Sequence, residues 1–119
     1  RGSPAESAAL LARSGRLVGV HVNDNYGSGD DDITVGSVHF WAMLEFLFAL
    51  EQINYQGWLT LDLVPTRESL VDDSTLSIAN LMIYHKLLSR LDREALLRAQ
   101  REQNAIVSQQ LIHHMLADE

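Results

Sequence analysis

The sequence predicts an α/β fold in which helices flank two short parallel strands, and three observations carry that reading. Two compact apolar runs, Leu17-Val18-Gly19-Val20-His21-Val22 and Trp58-Leu59-Thr60-Leu61-Asp62-Leu63, have the length and apolar continuity of buried strands. Helical patterns precede, separate and follow them. The stretch between the two runs holds a loop and a helix, the crossover that parallel pairing needs.

Ser3-Pro4-Ala5-Glu6 opens the chain with a capping box and a proline in the first helical position, where its missing N–H costs nothing. A short helix to Arg13 should follow, ended by Gly15. After the first strand, residues 23–36 form a polar loop punctuated by glycine and carrying Asp24, Asp30, Asp31 and Asp32 without a basic residue. Ser37 is the expected cap of a second helix over residues 38–54. Phe40, Trp41, Leu44, Phe46, Leu47, Phe48, Leu50 and Ile53 wrap most of that helix, which predicts burial against more than one neighbour.

Tyr55-Gln56-Gly57 ends the second helix, and Pro65 stops the second strand. A loop over residues 66–72 leads to a third helix over 74–89, with Leu76, Ile78, Leu81, Met82, Tyr84, Leu87 and Leu88 as its buried face. Asp92 should cap a last helix reaching 116, with Leu91 and Leu96 as a hydrophobic staple. Its thin stripe of Leu97, Val107, Leu111 and Met115 is interrupted by Gln100 and Asn104. Two strands alone leave both faces and both edges of a parallel sheet needing cover. The pattern is therefore expected to belong to something larger, completed by strands outside this sequence or by further copies of the chain.

Composition narrows the function classes. The 119 residues carry sixteen acidic and nine basic side chains, a formal charge of −7, which disfavours nucleic acid and anionic membrane surfaces as partners. The absence of cysteine rules out disulfide scaffolds and thiolate zinc sites, and fits a cytoplasmic protein. No apolar stretch approaches the ~20 residues of a membrane span, and the start of the sequence lacks a signal-peptide core.

Ligand-binding groups in parallel α/β folds gather at the carboxyl ends of the strands. His21 lies near that end of the first strand and Asp62 near that of the second, while the first loop adds the Asp-x-Asp pair Asp30 and Asp32. One imidazole among carboxylates suits a borderline-to-hard divalent cation such as Mn²⁺, Co²⁺ or Mg²⁺. Each residue also has a structural alternative: a hydrogen-bonded strand-end histidine, a loop-bracing aspartate, a solvated acidic turn beside glycine. Trp41 and Trp58 could stack on a sugar, but core packing is the better expectation for both. His39, His85 and the adjacent pair His113-His114 receive no role.

Three segments taken in order add a resemblance. They are Gly19-Val20-His21-Val22-Asn23-Asp24-Asn25, Asp30-Asp31-Asp32-Ile33-Thr34-Val35-Gly36, and Tyr55-Gln56-Gly57-Trp58-Leu59-Thr60-Leu61-Asp62-Leu63-Val64-Pro65-Thr66-Arg67. Together they resemble the last third of a xylose-isomerase-like TIM barrel, the superfamily of sugar isomerases and ketose 3-epimerases. The resemblance implies a fragment of a (β/α)8 barrel over residues 1–91, covering strands seven and eight with their helices. Residues 92–119 would then be a C-terminal helical extension suited to contacts in a homo-oligomer.

By that resemblance His21 is similar to the strand-seven metal ligand and Asp62 to the strand-eight carboxylate that shares its ion. Asp30 and Asp32 resemble the pair that holds the second ion of the two-metal isomerases, a pair the epimerases lack. Arg67 resembles a loop-bracing arginine after strand eight. The implied activity is metal-dependent interconversion of an aldose and a ketose, with Mn²⁺ first among the candidate ions and Co²⁺, Mg²⁺ or Zn²⁺ as alternatives. Strand-five and strand-six ligands and the acid–base groups of the family have no counterpart in this sequence, so the 119 residues alone are expected to be inactive. The competing readings are a ketose 3-epimerase, a zinc-dependent endonuclease-type barrel, and a non-catalytic piece whose helices serve assembly.

Overall fold

The computed structural model describes residues 3–117. Five helices and one two-stranded sheet follow in the order α1 (Pro4–Arg13), β1 (Val20–Val22), α2 (Phe40–Gln52), β2 (Leu59–Leu61), α3 (Leu70–Ser89), α4 (Arg93–Arg101) and α5 (Ala105–Ala117). The chain divides into two compact units, Arg1–Met82 and Ile83–Glu119, with the boundary inside α3.

In the first unit, α1 begins as its sequence demands. Ser3 Oγ accepts the Glu6 N–H at 3.1 Å, and the Glu6 carboxylate accepts the Ser3 N–H at 3.1 Å. These two bonds satisfy donors that a helix start leaves open. The helix ends at Arg13, and Gly15 follows with φ 68°, a conformation that glycine adopts without steric cost. β1 and β2 pair in parallel with Val20 opposite Leu59, His21 opposite Thr60 and Val22 opposite Leu61. Both strands are shorter than the apolar runs that contain them. Val18 and Trp58, at the amino-terminal approaches, are almost fully exposed.

Strand alternation sorts the sheet into two faces. Val20 and Val22 are buried with Ala8, Val35 and Leu50, and Met43, Phe46, Leu47, Leu61 and Leu81 pack against this cluster. His21 and Thr60 belong to the opposite, exposed face. The ladder continues past the strands, since the Asp62 N–H donates to the Val22 carbonyl at 3.1 Å. An antiparallel bridge between Asp24 and Ile33, with backbone bonds of 3.0 and 3.1 Å, folds the intervening loop back on itself.

The cap of α2 is not Ser37, whose hydroxyl instead donates to the Thr34 carbonyl; Asp24 Oδ2 accepts the N–H groups of Val38 and His39 at 2.9 Å each. The N-cap position is His39, which makes no side-chain cap bond, and the two N–H groups held by Asp24 lie just before the first turn. Nor is α2 buried all round, because only Leu44 and Leu50 are buried and Phe46, Leu47 and Phe48 remain partly exposed. Trp41 lies about 160° around the helix from Met43 and is 56% exposed, so neither it nor Trp58, 87% exposed, packs in the core.

α3 starts one turn earlier than expected, because Ser69 Oγ accepts the Asp72 N–H at 3.0 Å. In its first half the inward positions are polar. Asp73 accepts the Thr34 hydroxyl at 2.6 Å, Ser77 Oγ accepts the Val35 N–H at 3.1 Å, and Asn80 donates to the Val35 carbonyl at 2.9 Å. Leu76, Ile78 and Met82 are exposed instead. The loop at Thr34-Val35 has backbone groups to satisfy on being buried, and polar side chains meet that need where leucine would not.

In the second unit Tyr84, Leu87, Leu88, Leu91, Leu96, Ala99 and Met115 are buried. Asp92 Oδ1 accepts the Ala95 N–H at 3.0 Å, and Leu91 and Leu96 are both buried, as expected of a capped and stapled start. The single helix expected to run to 116 is two helices. Gln103 adopts φ 54°, the Asn104 N–H reaches back to the Ala99 carbonyl at 2.8 Å, and Asn104 Oδ1 accepts the Val107 N–H at 3.1 Å. Asn104 therefore ends one helix and caps the next, a role in which asparagine is more stable than in a helix interior.

Candidate metal and cleft site at the strand ends

Parallel register brings together two of the four predicted site residues. His21 sits opposite Thr60, and strand alternation puts Asp62 on the same exposed face two residues further on. His21 Nδ1 lies 3.9 Å from Asp62 Oδ2, and both side chains are more than half exposed. At that distance the pair is at the limit of direct ionic contact.

The other two, Asp30 and Asp32, lie in the loop after β1, close enough for the charge of one carboxylate to act on the other. Asn23 ties this loop to β2: its Nδ2 donates to Asp32 Oδ1 at 2.6 Å and to the Asp62 carbonyl at 3.0 Å. The Val64 N–H adds a bond to the Asp32 carbonyl at 3.1 Å. Partial burial, the neighbouring Asp30 carboxyl and the charges of Asp30, Asp62 and Asp31 together raise the Asp32 pKa. Repulsion among the carboxylates favours the form with one fewer charge. Asp32 also holds φ 49°, a left-handed conformation uncommon outside glycine, asparagine and aspartate.

As a metal shell the site is partial. Among the described residues no three histidine or acidic side chains converge as a metal-binding group. Arg67 is exposed.

A second constellation beside this face had no signal in the sequence pattern. Asp24 is 4% exposed, and its two oxygens accept the backbone N–H groups of Asn25, Val38 and His39. Its Oδ1 also meets His39 Nδ1 at 2.7 Å. Burial disfavours the charged carboxylate, but the bonds from the His39 backbone and ring, then Val38 and Asn25, outweigh it and hold the Asp24 pKa below the usual value. The His39 side chain remains half exposed. Both histidines, His21 and His39, line a cleft of about 370 Å³ between the carboxyl end of β1 and the start of α2. Pro4, Met43 and Phe46 supply its apolar wall, and Asn23 and Asn25 its amides.

His85, His113 and His114 are exposed on helices. No known family model matches the chain, and no curated protein matches it. Among the described residues no helix is long and apolar enough to cross a membrane.

Proposed function

We propose that the chain forms the strand-seven and strand-eight end of a xylose-isomerase-like (β/α)8 barrel and contributes part of a divalent-metal site for aldose–ketose isomerisation. The observation that supports this best is the register that sets His21 and Asp62 side by side on the sheet face opposite the helices. In a barrel of this kind that face points inward, and catalytic groups sit at the carboxyl ends of the strands. The open edges of the two-stranded sheet suit completion by neighbouring strands of such a barrel, and the helical extension suits contacts between copies.

His21 and Asp62 would be two ligands of one ion, and Asp30 and Asp32 would serve a second. Mn²⁺ is the first choice for this donor set, with Co²⁺, Mg²⁺ and Zn²⁺ compatible. An ion bound there supplies Lewis-acid polarisation of neighbouring sugar oxygens. Asn23 positions Asp32 by holding it against the backbone of β2. The acidic loop repels anions, so a neutral sugar suits the site better than a sugar phosphate. The Asp30–Asp32 pair favours an isomerase over a 3-epimerase by the same resemblance that suggests the barrel.

Saturation-transfer NMR tests the sugar assignment. With Mg²⁺ present, D-xylose or L-rhamnose is expected to receive magnetisation from the protein, and His21→Ala or Asp62→Asn should abolish the transfer. Transfer that is absent for every aldose tried, or indifferent to both substitutions, would overturn the reading.

A further inference from the structure

We propose that His39 is a proton-transfer residue, positioned by Asp24, that accepts a proton from a hydroxyl group of a small polyol seated in the cleft between β1 and α2. This deepens the sugar-isomerase reading and depends on it only for the class of ligand. The dyad itself rests on geometry. A buried carboxylate bonded at 2.7 Å to Nδ1 makes that nitrogen the protonated one, since a carboxylate can only accept. The lone pair of the neutral ring is then on Nε2, and Nε2 makes no hydrogen bond to any described residue. The ring is half exposed and lines the cleft, so a ligand there can reach it.

The step balances without a further reagent. The Nε2 lone pair takes the hydroxyl proton, the O–H electron pair stays on the oxygen, and the imidazolium formed is offset by the Asp24 carboxylate beside Nδ1. Returning the proton to the ligand restores both. Three backbone N–H bonds hold Asp24 in place, so the carboxylate cannot rotate away as the ring acquires charge. Among the residues lining the cleft, only His21, Asp24 and His39 carry ionisable side chains. The amides of Asn23 and Asn25, which also line the cleft, can orient hydroxyl groups. A purely structural His39 would need only its backbone N–H, which already bonds Asp24 Oδ2; the additional ring contact is what selects the tautomer.

Diethyl pyrocarbonate, which acylates an unprotonated imidazole nitrogen, measures this directly when each histidine is followed by peptide mass spectrometry. At about pH 8, where an ordinary imidazole is neutral, His39 is expected to react about tenfold faster than the exposed His85. Xylitol in excess should slow His39 and leave His85 unchanged. Asp24→Asn, checked for folding by circular dichroism, should bring the His39 rate down to that of His85. The wild-type comparison stands even if that variant does not fold. A His39 rate no greater than that of His85 would overturn the dyad, whatever metals and sugars do at His21 and Asp62. Fast acylation with no xylitol protection would overturn the polyol assignment. Failure of Mg²⁺-dependent aldose binding with a fast, protected His39 would instead count against the isomerase reading alone.

Discussion

His21 and Asp62 face each other across a parallel strand pair, Nδ1 to Oδ2 at 3.9 Å, although a helix and two loops separate them in sequence. The backbone bond from the Asp62 N–H to the Val22 carbonyl fixes that relation, because it carries the ladder one residue past the strands. A register slip of one residue would send Asp62 to the buried face. The pairing is thus specified by the apolar side of the sheet, where Val20 and Val22 are buried.

Asp32 opposes folding at neutral pH. Its folded pKa is raised above the ordinary value of 3.8, so the cost is present at higher pH and is relieved as pH falls through the raised value. Asp32→Asn removes the repulsion, keeps a side chain that tolerates φ 49°, and is expected to leave Tm unchanged or higher at pH 7. Any gain should vanish in acid. A clear fall in Tm at pH 7 would show that the hydrogen bond from Asn23 outweighs the repulsion.

Asp24 acts with the opposite sign. Its folded pKa is depressed, so its stabilisation is complete above the unfolded value of about 3.8 and is lost as pH falls through the lower folded one. Asp24→Ala also leaves the Val38 and His39 N–H groups without their acceptor, and is expected to cost about 2 kcal/mol or more at pH 7. Chemical denaturation of both proteins should show the difference narrowing below about pH 4.

The break between α4 and α5 predicts an unusual sign. Gln103→Gly should stabilise the chain by about 0.5–1 kcal/mol, because glycine holds the left-handed conformation at φ 54° without the clash of a Cβ. Inside one continuous helix the same change would cost about 1 kcal/mol. Urea unfolding separates the two outcomes.

Met115, 1% exposed in the second unit, supports packing rather than chemistry. Met115→Ala is expected to destabilise by about 2–5 kcal/mol through loss of buried contact and the cavity left behind. Thermal unfolding would read this as a lower Tm.

Local signals in the sequence were reliable where the physics is local. Ser3 with Glu6, Gly15, and Asp92 with Leu91 and Leu96 act within a few residues, and each takes its expected place. The two strands and their parallel order were legible because apolar runs separated by a helix leave few other arrangements. What failed depended on partners distant in sequence. Asp24, not Ser37, holds the backbone that leads into α2, and the buried Thr34-Val35 segment drew Asp73, Ser77 and Asn80 inward in place of neighbouring apolar residues.

The site was partly legible for the same reason. His21 and Asp62 follow from the rule that groups gather at strand ends. The Asp24–His39 contact joins residues with no helical or strand spacing between them, so no periodicity could announce it. The asparagine at 104 did interrupt the apolar stripe of the last helix, and that interruption was the visible trace of the break.

The most direct measurement is site-resolved line broadening of backbone amide resonances on adding Mn²⁺. The amides of His21, Asp62, Asp30 and Asp32 are expected to broaden first, and Asp62→Asn to remove the effect at His21. Equal broadening at exposed acids such as Glu68 and Glu102, unchanged by Asp62→Asn, would contradict a metal site at the strand ends.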